Sequence, residues 1–258
     1  MEFRGLMGGF YRISEWIMRL SVTNLLWLVT AFPVFFCIFN MFFFSQNVEE
    51  VQAWLLPIAV LTPFLLFPST SAMFALARKW VMGDGDVPLF KTFFRSYKEN
   101  YKQSMLGGIF YVVLLSLLVF NYQFYAAQTG YAAMLVYVFL AFIIVVSLSI
   151  FNFFCIVVHL HMKTFQLFKN ALLVTVGQPF RAILIGLSCV AILYISFTQI
   201  TFLIPFFMGS LIALVTFWHF HAGFRKIVTK HEAAVAKREE EAAAQEELAE
   251  PKESKDSL

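Results

Sequence analysis

The side chains in this sequence best suited to chemistry are two histidine pairs, His159-Leu160-His161 and His219-Phe220-His221. Each pair falls at the end of a long apolar stretch. Because residues i and i+2 of a helix point about 200° apart, one pair cannot grip a single metal ion. Two histidines from different helices could meet, but no carboxylate or cysteine lies nearby in the sequence to complete a site. Interfacial histidines with solvated tips are the alternative, and the sequence predicts no metal and no cofactor.

Three other groups of polar residues have simpler explanations. Asp84-Gly85-Asp86 matches only the start of a calcium loop, because the remaining ligands and the closing glutamate are missing, so a turn and helix cap is favoured. Pro68-Ser69-Thr70-Ser71 either lines a polar cavity or forms a kink whose hydroxyls satisfy freed carbonyls. The cysteines Cys37, Cys155 and Cys189 lie in apolar runs and are expected to be buried small hydrophobes.

Motifs for catalysis are missing from the sequence. There is no phosphate-binding loop, nucleophile elbow or zinc-protease motif. No Asp, Glu, Lys or Arg falls inside an apolar segment, whereas proton relays and many ion-coupled carriers place ionisable groups there. The sequence therefore predicts a non-enzymatic protein and argues against proton-coupled transport. A passive pore, or a carrier that uses backbone and hydroxyl groups, stays open.

The composition is that of a membrane protein. Of the 258 residues, 60% are hydrophobic and only 14% are charged, whereas soluble domains are about half apolar and a quarter charged. The formal net charge of +3 is too small to suggest nucleic acid as a partner. The lipid bilayer is the first partner that the sequence predicts.

Six segments approach the roughly 20 apolar residues that a membrane-crossing helix needs. They lie near residues 20–44, 54–77, 105–124, 131–160, 182–200 and 202–221. The last two share one uncharged run, in which Thr198–Pro205 is the only turn candidate, and one long span with a re-entrant piece is the alternative. The predicted fold is an all-α integral membrane protein, with a membrane domain over residues 1–228 and a charged tail over residues 229–258.

The positive charges predict the topology. All 19 Lys and Arg residues fall within 1–19, 78–102, 163–181 and 225–255. Six spans place all of these segments on one side, and the excess of Lys and Arg marks the cytoplasmic side. We therefore expect a multi-pass protein of the bacterial plasma membrane with both termini in the cytoplasm. Residues 1–19 carry too many charges for a signal peptide and predict an amphipathic helix in the membrane interface.

Residues 78–103 form the main predicted cytoplasmic connection. A turn at Gly83–Asp86 precedes a helix with Asp86 as its cap and Pro88 in its first turn. Aromatic and basic residues then alternate with helical spacing from Phe90 onward, which predicts a basic amphipathic helix lying along the membrane surface. A second connecting helix is predicted within Lys163–Arg181. The candidate residues for contact with a partner or with lipid headgroups are Arg78, Lys79, Trp80, Asp86, Phe90, Lys91, Phe93, Phe94, Arg95, Lys98 and Lys102.

Two segments carry a family resemblance. Met1–Val29 (MEFRGLMGGFYRISEWIMRLSVTNLLWLV) and Pro68–Gln103 (PSTSAMFALARKWVMGDGDVPLFKTFFRSYKENYKQ) resemble the YesL-like family of bacterial membrane proteins. The later spans are similar mainly in pattern, and the Glu-rich tail lies outside the resemblance. The family has no known function and implies no catalytic residues.

The resemblance also implies a biological setting. Genes of this family, typical of Gram-positive bacteria, often lie beside sugar-importing ABC transporters and polysaccharide-degrading enzymes. We therefore expect an accessory protein that supports oligosaccharide uptake and binds permease subunits of a sugar ABC importer. The alternative is that the chain is itself a transporter or channel for a small polar solute.

Overall fold

The computed structural model describes residues 6–160 and 162–249. These residues form helices joined by turns, and no strand occurs among them. The chain divides into two compact units, residues 1–220 and residues 221–258. The all-helical class that the sequence predicts is confirmed for the described part of the chain.

The helices of the first unit follow one another closely. It begins with α1 (Leu6–Thr30), α2 (Phe32–Phe43), α3 (Val48–Leu61) and α4 (Phe67–Val81), with a π-helical turn at Thr62–Leu66 between α3 and α4. It continues with α5 (Leu89–Ala126), a 3₁₀ turn at Gly130–Met134, α6 (Leu135–His159), α7 (Thr164–Gly177) and α8 (Pro179–Thr198). The last helices are α9 (Leu203–Phe206) and α10 (Met208–Ala249).

Four helical segments are long and apolar enough to cross a membrane. They are Val48–Val81, Leu89–Ala126, Gly130–His159 and Pro179–Thr198. A fifth would be the pair α1 and α2, if that bent pair counts as one span. The chain is thus a helical membrane protein, and the described residues provide four or five such spans rather than the six predicted.

The first predicted span, 20–44, is not one straight helix. α1 and α2 meet at an angle of 81° on either side of Ala31. Pro33, in the first turn of α2, has no N–H to offer the carbonyl of Val29, so the α1 ladder ends there. The bend therefore falls at Ala31, whereas α1 runs without interruption through the expected boundary near residue 20. The structure therefore does not confirm a separate interfacial helix over the described part of residues 1–19.

The predicted surface helix and the predicted span 105–124 are also one element. α5 runs unbroken from Leu89 to Ala126 over 38 residues. No proline lies within it, and its paired glycines, Gly107 and Gly108, pack closely against neighbours instead of ending the helix. A separate helix along the membrane surface is therefore not confirmed, because the polar segment and the apolar one belong to the same unbroken helix.

The sixth predicted span, 202–221, is broken near its start. α8 ends at Thr198, which confirms the turn predicted between Thr198 and Pro205. The short α9 follows, and α10 begins only at Met208, after the non-helical Phe207. The part of α10 that falls in the predicted span, from Met208 to about His219, makes only about three turns. That is too few to cross a bilayer.

An aromatic cluster holds α4, α5, α6 and α7 together. Tyr111 packs edge-to-face on Phe153 at 5.4 Å, and Phe153 stacks on Phe168 at 5.5 Å between ring centres. A Cβ at position 107 would lie 2.2 Å from the Phe153 ring, and one at position 108 would lie 2.5 Å from Pro63 Cα. The two glycines therefore let α5 approach its neighbours closely, as small residues do between membrane helices.

The second unit consists of the later part of α10. Residues 232–239 are exposed, and Lys237 lies 3.7 Å from Glu241 one turn further on. Such exposed i, i+4 pairs add only about 0.3–0.5 kcal/mol to a helix. This unit is helical up to Ala249, where its described residues end.

Candidate functional site

Two of the predicted contact residues at the end of α4 point into the protein. Arg78 donates from Nε to Nδ1 of His159 on α6, at 3.3 Å. Trp80 is only 6% exposed, and its ring packs edge-to-face on Trp16 of α1 at 5.8 Å. Both side chains therefore join helices of the first unit and offer little surface to a partner.

The turn predicted at Gly83–Asp86 is confirmed, but the predicted cap is wrong. Gly83 has a φ of 99°, and its N–H donates to Trp80 while Asp84 N–H donates to Lys79. These two bonds form a Schellman motif, which needs a residue that tolerates positive φ. Asp86 makes no cap, because α5 starts later, with Pro88 as its N-cap and the Pro88 carbonyl accepting from Thr92 N–H.

The amphipathic start of α5 is split between an inner and an outer side. Phe93 is 0% exposed, with Thr92 and Ser96 buried beside it. Phe90 and Phe94 are 62% and 46% exposed. The aromatic side that the spacing predicts is therefore only partly buried. We call the outward surface the basic face; it consists of Phe90, Lys91, Phe94, Arg95, Lys98 and Lys102.

The basic face combines exposed rings with positive charge. Phe90, Lys91, Phe94, Arg95 and Lys98 surround an open concavity of about 570 Å³. Arg95 bonds Glu99 at 2.8 Å, and both side chains are largely exposed. The basic face therefore offers two exposed phenylalanine rings surrounded by positive charge. The Glu99 carboxylate partly neutralises that charge.

The histidines that the sequence singles out do not form a metal site among the described residues. His159 packs against the rings of Phe217 and Phe220 and accepts the hydrogen bond from Arg78. His161 lies outside the described residues. No group of three or more His, Cys, Asp or Glu side chains in the described part of the chain is placed to hold a metal ion. The three cysteines are buried and free, as predicted.

The hydroxyls after Pro68 bond to their own helix. Ser69 Oγ donates to the Leu65 carbonyl at 2.6 Å, and Thr70 Oγ1 donates to the Leu66 carbonyl at 2.7 Å. Ser71 Oγ donates to the Pro68 carbonyl at 3.1 Å. All three hydroxyls therefore bond to carbonyls of their own helical segment.

The most elaborate polar arrangement lies where α9 gives way to α10. Asn24 of α1 is 0% exposed, and its Nδ2 donates to the carbonyls of Ile204 and Pro205 at 3.1 and 2.7 Å. Its Oδ1 accepts from the N–H groups of Gly209 and Ser210 at 2.8 and 3.2 Å. We call this four-bond arrangement the Asn24 clamp. One amide side chain thus pairs two carbonyls and two N–H groups that the helix break leaves without helical partners.

Close packing fixes the clamp in place. A Cβ on Gly209 would lie 2.7 Å from Cζ3 of Trp27 and 3.0 Å from Oδ1 of Asn24. Trp27 in turn donates from Nε1 to Thr70 Oγ1 on α4 at 3.0 Å. α1 therefore binds the helix break with one side chain and α4 with another, three residues further along.

Sequence reasoning did not find the clamp. The available signals are an asparagine within an apolar segment, at position 24, and a proline within another, at position 205. Each signal alone is common, because polar side chains and prolines occur in membrane helices for local reasons. Their partnership spans about 180 positions of the chain, which spacing cannot reveal.

A bundle of apolar helices with polar groups paired internally defines the class as a helical membrane protein. Residues 20–122 match the family described as "Protein of unknown function, DUF624". The chain is 31% identical to the uncharacterized protein YteU of Bacillus subtilis (strain 168) over 219 residues, 83% of this chain and 84% of YteU. The chain therefore belongs to this family, and the predicted YesL-like resemblance is confirmed.

Two further relatives from the same organism support the assignment. The chain is 27% identical to the uncharacterized protein YesL over 215 residues, 83% of this chain and 89% of YesL. It is 31% identical to the uncharacterized protein YesV over 169 residues, 65% of this chain and 80% of YesV. No solved structure matches the chain.

Proposed function

We propose that this protein is a non-enzymatic accessory subunit that binds a membrane transport complex through the basic face of α5. The observation that carries this proposal is that α5 is one continuous helix. Its 38 residues extend about 57 Å, whereas the hydrocarbon core of a bilayer is about 30 Å thick. The apolar part, from Met105 to Ala126, is by itself long enough to fill that core.

The length of α5 favours a protein over lipid as the occupant of the basic face. Along the helix, Arg95 lies about 15 Å and Lys91 about 21 Å before Met105. The headgroup layer on each side of the core is only about 5–8 Å thick. A helix that keeps its direction therefore carries Lys91 and Arg95 past the headgroups, where a protein can reach them. Lys102 alone stays at the level of the lipid phosphates.

The chemistry of the basic face suits an acidic amphipathic segment of a partner. Exposed aromatic side chains are the usual energetic centres of interfaces, and Phe90 and Phe94 stand beside the concavity. Lys91, Lys98 and Arg95 would steer an acidic surface toward them. The partner class we propose is the permease or nucleotide-binding subunit of a sugar ABC importer, on the cytoplasmic side, as the gene context of the family implies.

Copurification from the native host, grown on a plant polysaccharide, tests the proposal. The tagged chain in mild detergent should recover ABC permease subunits in stoichiometric amount. The variant Lys91→Glu with Arg95→Glu should lose them while inserting normally. The matched control is Lys163→Glu with Lys169→Glu, which makes the same change of charge on exposed residues of α7 and its start. Recovery of a well-folded chain without permease subunits, or equal loss in both variants, would contradict the proposal.

A second candidate function, transport by the chain itself, has one observation in its favour. From Trp16 to Asn24, α1 rises about 12 Å. If Trp16 and Trp80 lie at the membrane interface, the break between α9 and α10 lies near the middle of the bilayer. Discontinuous helices at that depth form the substrate sites of many transporters. Here Asn24 already pairs the two carbonyls and the two N–H groups at the break. Transport would therefore require Asn24 to release these backbone groups to a substrate.

Reconstitution separates the two candidates. Purified protein in liposomes, without partner or ATP, should not move radiolabelled oligosaccharides if the accessory role is correct. Flux that Asn24→Asp abolishes and Lys91→Glu leaves intact would favour the transport candidate instead. The two variants thereby assign any activity to one region or to the other.

A further inference from the structure

A groove lined by tryptophan lies between α1, α4 and the part of α10 that belongs to the first unit. It encloses about 320 Å³ and is lined by Trp16, Trp80, Val81, Leu214, Val215 and Trp218. Three of the five tryptophans of the chain thus meet in one place. Indole side chains favour the boundary between hydrocarbon and headgroups. In a membrane protein, a groove at that level faces lipid.

The two sides of the groove differ in polarity. Leu214, Val215 and Trp218 form an apolar wall, and the Trp218 side chain is largely exposed along it. At the other side, Arg12 lies one helical turn before Trp16, and Lys79 adjoins Trp80. Neither makes an ion pair with a described residue. The groove therefore offers apolar surface beside two basic side chains, which matches an acyl chain beside a phosphate.

The remaining charges nearby are those of Arg19, Glu15, Asp84 and Asp86. Arg19 lies over the Trp16 ring, 5.6 Å from its centre, and bonds Glu15. Asp84 and Asp86 are exposed on either side of Gly85, where a Cβ would lie 2.9 Å from a guanidinium nitrogen of Arg19. A cationic ligand, which aromatic side chains often bind, would meet Arg12 and Lys79 and be repelled. The charge pattern favours an anionic occupant.

A donor at the groove also lacks a partner. Trp80 Nε1 is buried and has no hydrogen-bond acceptor among the described residues. Buried indole N–H groups usually find one. Because Nε1 is buried, an ester or phosphate oxygen in the groove would accept from it only after the indole shifts, so the choice of an anionic occupant rests on the charges at the rim.

We propose that the groove binds one anionic phospholipid, with an acyl chain along Leu214 and Trp218 and the phosphate at the rim that carries Arg12 and Lys79. The volume lies at the lower end of the range for small-ligand pockets, enough for part of a lipid and too small for a helix of a partner protein. The site is distinct from the basic face, and it stands or falls independently of the accessory role.

Quenching of tryptophan fluorescence by brominated lipid in detergent micelles tests the site. All measurements use the Trp54→Phe variant as the background, because this change removes the fluorescence of an indole that lies outside the groove. Brominated phosphatidylglycerol should reach half of its maximal quenching at a concentration about thirtyfold lower than brominated phosphatidylcholine, as expected for two basic residues that each contribute about 1 kcal/mol at an anionic headgroup. The additional changes Arg12→Gln and Lys79→Gln should remove this difference. The matched control, Lys163→Gln with Lys169→Gln, should retain it.

Two outcomes would overturn the proposal. Equal quenching by both lipids would mean that the groove holds ordinary boundary lipid. A preference for phosphatidylglycerol that survives the loss of Arg12 and Lys79 would place the anionic site elsewhere. Because Arg12 is exposed and Lys79 is partly exposed, the double glutamine variant is expected to fold.

Discussion

The Asn24 clamp and the basic face of α5 use polar side chains in opposite ways. At the clamp, one neutral side chain is fully buried and pairs four backbone groups. On the basic face, four cations are exposed, and Arg95 alone has an acidic partner among the described residues. The comparison teaches that polar groups inside the bundle hold the fold together, whereas polar groups outside it remain available for binding.

The sharpest test of this division lies within α5, where two neighbouring phenylalanines fall on its two sides. Phe93→Ala should lower the free energy of unfolding by about 3–5 kcal/mol, because it leaves a cavity among buried side chains. Phe94→Ala, half-exposed on the basic face, should cost well under half as much. Chemical denaturation of both variants in the same detergent would measure the difference. Similar losses would mean that the two sides of the helix are not distinct.

Removal of the clamp should have the next largest effect. Asn24→Leu leaves two carbonyls and two N–H groups unpaired in an apolar surrounding, and we expect a loss on the order of 3 kcal/mol. Thermal unfolding in detergent would record it as a lowered Tm.

Asn40→Leu is the matched control for the clamp. Asn40 is partly exposed, and among the described residues its side chain bonds the Phe36 carbonyl of its own helix, at 2.7 Å, so its replacement should change stability by about 0.5 kcal/mol or less. Equal effects at the two asparagines would show that the clamp adds nothing beyond a local hydrogen bond.

Substitution of Gly209, which packs closely against the Asn24 clamp, should have the next largest effect on stability. Gly209→Ala places a methyl group against Trp27 and Asn24, and such overpacking costs about 1–3 kcal/mol. Gly9→Ala is the control, because nothing lies within 4 Å of a Cβ there, and alanine should stabilise that helix slightly. Trp27→Leu combined with Gly209→Ala should cost less than the sum of the single changes if the clash is with the indole.

The smallest effect on stability should come from the basic face. Arg95→Glu with Lys98→Glu alters exposed side chains, so the free energy of unfolding should change by about 0.5 kcal/mol or less. The same variant should lose a partner that the unchanged chain recovers. A large drop in Tm would show that these cations stabilise the fold and would remove the contrast with the clamp.

The sequence predicted local features, such as turns and helix ends, better than it predicted how far a helix continues or which of its side chains are buried. The turn at Gly83–Asp86 and the end of a helix near Thr198 were both predictable, because glycine, proline and clustered polar residues act on the backbone nearby. The continuity of α5 was not, since amphipathic spacing is the same for a separate helix and for one that continues into an apolar segment. The spacing likewise could not tell Phe93 from Phe94, because burial depends on which neighbour the helix meets.

By itself, the sequence determined that this protein is helical and resides in a membrane, since long uncharged apolar segments have no other stable arrangement. It also determined where basic and aromatic residues concentrate. Only the tertiary structure decided that α1 bends at Ala31, that Asn24 satisfies the break before Met208, and that three tryptophans from separate helices share a groove. The physical reason is distance along the chain: these contacts join residues that local backbone preferences cannot bring together, and only the packing of whole helices does.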